Sequence, residues 1–177
     1  KKIADEALSA SAGEVALTDS MNASIENVRI STGENASIAR VHKLAGGPGT
    51  RFGTYVHHDG KTGVLLQAEG DVPDELLRDI CMHITAAVPR PLGVSKDEIP
   101  AKVVEREKKF ALEQAMESGK PQEIAEKMVE GKMRKFFEEV ALLEQPFVKD
   151  TDKQVKDLLG KGAPVTAFLR WQVAEQS

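Results

Sequence analysis

At the start of the chain, hydrophobic residues recur at helical spacing. Ile3, Ala4, Ala7 and Leu8 predict a short helix over residues 2–12 that stops at Gly13. Thr18, Asp19 and Ser20 are N-cap candidates for a second helix, which turns Met21, Ile25 and Val28 inward and ends at Ser31-Thr32-Gly33. From about Asn35 the period shortens to two. Ile38, Arg40, His42 and Leu44 share one face of a first strand, and Gly46-Gly47-Pro48-Gly49 breaks it. Arg51 to His57 predicts a second strand, and Asp59-Gly60 a tight hairpin turn. Gly63 to Glu69 predicts a third, whose contiguous Val64, Leu65 and Leu66 imply burial on both faces. Joined by short loops, the three read as an antiparallel meander.

The period then returns to helical. Leu76, Leu77, Ile80, Cys81, Ile84 and Val88 form the stripe of a helix over residues 73–88, with Asp71 as its cap and Pro89 and Pro91 beyond its end. Residues 101–140 differ in kind. They hold nine basic and nine acidic residues around a narrow apolar seam: Val104, Ala111 and Ala115, then Ala125, Val129, Phe136 and Val140. Gly119-Lys120-Pro121 divides the segment, which predicts an antiparallel two-helix hairpin, coiled-coil in character, projecting into solvent. Glu105 with Lys109, Glu123 with Lys127, and Glu130 with Arg134 are i,i+4 pairs in the favourable order. Asp150, Thr151 and Asp152 can start a short helix carrying Val155, Leu158 and Leu159, ended by Gly160 and Gly162. Val165, Ala167, Leu169, Trp171 and Val173 alternate cleanly and predict a strand that pairs with the meander. The fold class is therefore α+β: an antiparallel sheet packed with helices, with an inserted helical hairpin.

Composition narrows the function. The chain has 177 residues, 24 Lys plus Arg against 28 Asp plus Glu, and a formal net charge of 24 − 28 = −4. A pI near 5.7 argues against direct nucleic-acid binding, which ordinarily needs a basic face. No apolar run reaches the ~18–20 residues of a membrane span. One cysteine, Cys81, cannot form an internal disulfide, which suits a reducing compartment. Lys1-Lys2 precede no apolar core, so the N-terminus is not a signal peptide; the chain opens without methionine inside an amphipathic pattern, as a piece of a longer product would.

Catalytic chemistry and cofactors are not called for. His57-His58-Asp59 reads as exposed histidines beside a turn, His42 as a half-exposed strand residue, and Cys81 as a small core hydrophobe. No spacing matches a zinc site. Gly46 to Gly53 lacks the Gly-Lys pair of a phosphate-binding loop and reads as a hairpin connection. His83 borders the apolar stripe of its helix, either as a boundary residue with a local hydrogen bond or as a contact on a partner-facing surface.

Four strings carry a resemblance. They are Cys81-Met82-His83-Ile84; Ile99-Pro100-Ala101-Lys102-Val103-Val104-Glu105-Arg106-Glu107; Glu117 to Lys132 around Gly119-Lys120-Pro121; and Glu144-Gln145-Pro146-Phe147-Val148-Lys149-Asp150. In order and spacing they closely resemble translation elongation factor Ts over about residues 70–160. The resemblance implies a guanine-nucleotide exchange factor for elongation factor Tu, not an enzyme, working in a bacterial cytoplasm or an organelle interior. It implies that residues 1–36 are helices ending the first half of the family's core, residues 37–100 and 141–177 the second half, and residues 101–140 the coiled-coil hairpin. It places His83, Phe147, Val148 and Lys149 on the surface that meets elongation factor Tu away from the nucleotide, with Gly119 at a hairpin tip that touches the partner in some members. Where some members carry a second apolar residue after Val148, this chain has Lys149. The family's Thr-Asp-Phe-Val wedge string does not occur in the sequence, so weak exchange is expected. A homodimer is left open, and the alternative reading is a non-catalytic module that docks a GTPase or a ribosomal surface.

Overall fold

The protein is described here from a computed structural model, which describes residues 1–160 and 162–174. The chain forms two compact units, residues 1–48 and 49–177. The first unit holds helix α1 (Lys2–Ala7), strand β1 (Gly13–Glu14), helix α2 (Asp19–Thr32) and strand β2 (His42–Lys43). Thr18 caps α2 by accepting the Met21 N–H at 3.1 Å, and Gly33 closes it with φ 72°, a conformation that glycine adopts at little cost. Ala7, Val15 and Met21 form a small core with Ile3, Ala10, Ile38 and Val41 packed on it. The Lys43 ammonium donates to the Leu8 and Ala10 carbonyls at 2.6 and 2.8 Å, ending α1 earlier than its apolar pattern suggests. Ile25 is half-buried and Val28 exposed, so the expected inward stripe of α2 narrows to Met21.

The period-two run from Asn35 does not join the meander. Only His42 and Lys43 are extended into a strand, and they pair antiparallel with Gly13 and Glu14. The glycine-rich loop at 46–49 is therefore the passage between the two units, not a hairpin connection. Alternation identifies a two-faced extended segment but not its hydrogen-bond partner.

The second unit is built on a three-stranded antiparallel sheet in the order β3 (Thr50–Val56), β4 (Thr62–Glu69), β7 (Val165–Gln172). The Asp-Gly turn forms as its chemistry requires. Gly60 takes φ 69°, and the Asp59 carboxylate accepts the Lys61 N–H at 2.8 Å, which holds its pKa below the usual carboxylate value. The C-terminal strand pairs with β4, as expected. Thr62, Val64, Leu66 and Ala68 are buried while Gly63, Leu65, Gln67 and Glu69 are only half-buried. The contiguous apolar run is thus a one-faced strand, not one covered on both sides. Helix α3 (Asp74–Ala86) packs on β3 and β4, and Leu77, Ile80, Cys81 and Ile84 enter the main core with Val64, Leu66 and Val72. Its start is Pro73, with Asp74 and Glu75 in the first turn and no side-chain cap, so Asp71 does not cap it.

Helices α4 (Ala101–Glu117) and α5 (Gln122–Val140) pack against each other and are joined through Gly119, which takes φ 65°. Ala111 and Ala115 are buried, whereas Phe110, Leu112, Met116 and Ile124 are exposed, so the apolar seam is narrow. Lys127 meets Glu123 at 3.4 Å as the pattern predicts; Lys109 reaches Glu113, at 3.9 Å, rather than Glu105. At the hairpin root, Ile99, Val140 and Ala141 pack with Val103, Val104, Phe136 and Phe137. Strands β5 (Pro146–Phe147) and β6 (Asp150–Gln154) then form a small ladder, followed by a 3-10 turn over Val155–Leu158. Asp150 to Asp152 therefore open a strand, not a helix. The Gln154 side chain and Asp157 form the cap one step later.

Candidate functional site

The two strings flanking the hairpin meet in space. His83 comes from the last turn of α3 and Gln145 from the segment between the hairpin root and β5. Both are buried, with relative exposures of 1 % and 3 %. Burying two polar side chains is costly unless each hydrogen-bonding group finds a partner, and here each does. The Gln145 amide nitrogen donates to the Pro89 carbonyl at 2.9 Å and to the Glu139 carbonyl at 2.7 Å. Two carbonyls can only accept, so the amide orientation is determined and its oxygen faces His83 Nε2, 3.0 Å away. On the other side of the ring, His83 Nδ1 accepts the Val148 backbone N–H at 3.2 Å. Both ends of the imidazole require the same state: neutral, with the proton on Nε2. Burial lowers the His83 pKa, against a smaller opposing effect of the Gln145 bond. A proton added at Nδ1 would face the Val148 N–H, donor against donor.

The expected site residues divide into two layers. His83 and Phe147 lie beneath the surface, their rings 5.8 Å apart, and Phe147 is part of the main core. Val148, 42 % exposed, and Lys149 stand above them on the surface. The Lys149 ammonium lies 2.6 Å from Asp79 Oδ1, one helical turn before His83 on α3. The Leu92 N–H donates to the Val140 carbonyl, and the Leu142 and Leu143 N–H groups donate to the Gly93 and Val94 carbonyls, so the loop after α3 is stitched to the hairpin root. Gly119 is exposed at the other end of α5, whose 19 residues rise about 28 Å. The structure therefore gathers His83, Phe147, Val148 and Lys149 and leaves Gly119 apart.

Gln145 was not singled out by the sequence, although it lies inside one of the resembling strings. A glutamine between a 3-10 turn and a proline signals nothing by periodicity. Its value comes from two carbonyls far from it in sequence or around a turn.

No group of His, Cys, Asp or Glu among the described residues is arranged to hold a metal ion. Cys81 is fully buried and its thiol pKa is pushed up to about 12 by burial. His58 is exposed, while His57 is half-buried with its ring beside Tyr55. No helix among the described residues is long and apolar enough to cross a membrane.

The sequence model of the family described as elongation factor TS matches residues 1–175. The chain belongs to the elongation factor Ts family. Elongation factor Ts of Thioalkalivibrio sulfidiphilus is 40 % identical over 182 aligned residues, covering 98 % of this chain and 61 % of the relative. That of an Enterobacter species is 42 % identical over 179, covering 98 % and 60 %. That of Alkalilimnicola ehrlichii is 45 % identical over 144, covering 81 % and 48 %. The chain thus spans about half to three-fifths of the length of these elongation factor Ts relatives.

Proposed function

We propose that this member of the elongation factor Ts family docks on elongation factor Tu through the edge formed by Val148 and Lys149 and favours release of GDP. The family match over residues 1–175 carries the reading. The geometry supports it: a half-exposed valine is held on the surface by a buried polar hub rather than by loop flexibility. His83 and Phe147 serve this edge from below, and the Gly119 tip offers a second, distant contact. Residues 1–36 correspond in this reading to the end of the family's first core half, residues 37–100 and 141–177 to the second half, and 101–140 to the coiled-coil hairpin. The compartment is the bacterial cytoplasm or an organelle interior.

Exchange of this kind breaks no covalent bond. The factor accelerates it by binding nucleotide-free partner more tightly than nucleotide-bound partner, and only that difference shifts the equilibrium. Residues 1–177 contain no Thr-Asp-Phe-Val string, so this stretch, tested by itself, should dock more strongly than it exchanges. Titration of elongation factor Tu with the chain, beside stopped-flow release of fluorescent GDP, tests both parts. Tight binding with slow release is expected, and Val148→Ala weakens binding by about 1–2 kcal/mol if this residue anchors the interface. An unchanged Kd for Val148→Ala would remove the edge from the interface.

A further inference from the structure

We infer that Gln145 is a positioning residue that couples the Val148–Lys149 edge to the root of the α4–α5 hairpin. The inference rests on the proposed reading of that edge as a partner surface, but its structural content stands apart from it. One buried side chain makes three bonds to three separate segments: the ring of His83 on α3, the Pro89 carbonyl in the loop after α3, and the Glu139 carbonyl in the last turn of α5. His83 passes the constraint on, because its Nδ1 can receive the Val148 N–H only while Nε2 keeps its proton on the Gln145 oxygen. The hairpin root and the exposed edge therefore share one hydrogen-bonded hub with no spare donor to rearrange. A partner seated on the edge and a partner held by the hairpin would meet a single preset geometry, which reduces the ordering needed on binding.

The test uses the full chain with spin labels on Cys introduced at Ser118, beside the hairpin tip, and at Lys61, in the β3–β4 turn, in a Cys81→Ala background. Ring nitrogen NMR of His83 and a binding titration with elongation factor Tu accompany it. The unsubstituted chain should show one narrow inter-label distance and the Nε2–H tautomer; a Nδ1–H tautomer there overturns the proposal outright. Gln145→Leu should broaden the distance distribution, release the tautomer and raise Kd about tenfold, as expected if the competent edge is populated about one-tenth of the time. Gln145→Glu should broaden the distance, because a carboxylate cannot donate to two carbonyls, yet keep the Nε2–H tautomer. His83→Phe should do the reverse, freeing the Val148 N–H to exchange while the hairpin distance stays narrow. These two variants decide the matter if Gln145→Leu does not fold. A narrow distance and an unchanged tautomer in a folded Gln145→Leu protein refute the coupling. Normal binding by Val148→Ala alongside the expected hub changes would instead refute only the partner reading.

Discussion

Gly53 sits on β3 directly under α3, and its lack of a side chain sets how closely helix and sheet approach. A Cβ built there would lie 2.8 Å from Leu77 Cβ and 3.1 Å from both the carbonyl carbon and oxygen of Leu77. Comfortable carbon–carbon contact is about 3.5–4.0 Å, so Gly53→Ala requires helix and strand to part by roughly 0.7 Å or more. Leu77 is fully buried and two of the three atoms met are backbone, so no rotamer change relieves the overlap. Overpacking of this kind costs about 1–3 kcal/mol. The smaller entropy of an unfolded alanine returns about 0.4–1 kcal/mol, leaving a net loss of about 1–2 kcal/mol. With a urea slope of about 2 kcal/mol/M, the midpoint falls by roughly 0.5–1 M. Trp171 is the chain's one tryptophan and lies in β7, so its fluorescence reports unfolding of the second unit. The same helix carries His83, so the substitution should also speed hydrogen exchange at Val148. A midpoint equal to or above that of the unsubstituted chain would show that α3 has slack over β3, and the steric argument would fail.

Three further outcomes are expected. Gly131→Ala lies within α5 with open space around the new methyl, so it should stabilise the hairpin by about 0.5–1 kcal/mol; circular dichroism on urea melting checks it, and a lower stability would contradict the helical assignment. The folded pKa of His83 is depressed below its unfolded value, so the stability it contributes is complete above about pH 6.5 and is lost as pH falls below that. Between pH 6.5 and 5, His83→Gln should therefore flatten the pH dependence of stability by up to about 1.4 kcal/mol per pH unit, and parallel curves for the two proteins would exclude His83 as the titrating group. Cys81, buried and with a pKa near 12, should resist alkylation at pH 8 until urea unfolds the second unit; prompt labelling of the native chain would mean that α3 opens locally.

Much of this protein was legible in its residues because the responsible forces are local. Thr18 before α2, Asp59-Gly60 in the hairpin and Gly119 between α4 and α5 act through short-range backbone preferences, and each does so in the structure. The seam of α4 and α5 is likewise a property of spacing. β7 forms where alternation predicts a strand, but its burial does not alternate: a register shift near its start puts Phe168, opposite Leu66, against the core in place of Leu169. What spacing could not supply was choice of partner. His42 and Lys43 alternate as well as any strand, yet pair with Gly13 and Glu14 in the first unit, because register and neighbour are settled by which backbone groups are left unpaired nearby. Val64-Leu65-Leu66 looks buried on two faces, but only one face is covered by α3. The hub is the clearest case. His83 could be placed at the border of an apolar stripe from sequence, but its tautomer and burial, and the link to Gln145, 62 positions away, depend on carbonyls of two separate segments and one backbone N–H converging. Local propensity determined most of the elements and the turns and caps at Thr18, Gly33, Gly60 and Gly119; only the tertiary structure decided which polar groups had to satisfy one another, because hydrogen-bond satisfaction in a buried site is a property of the whole packing.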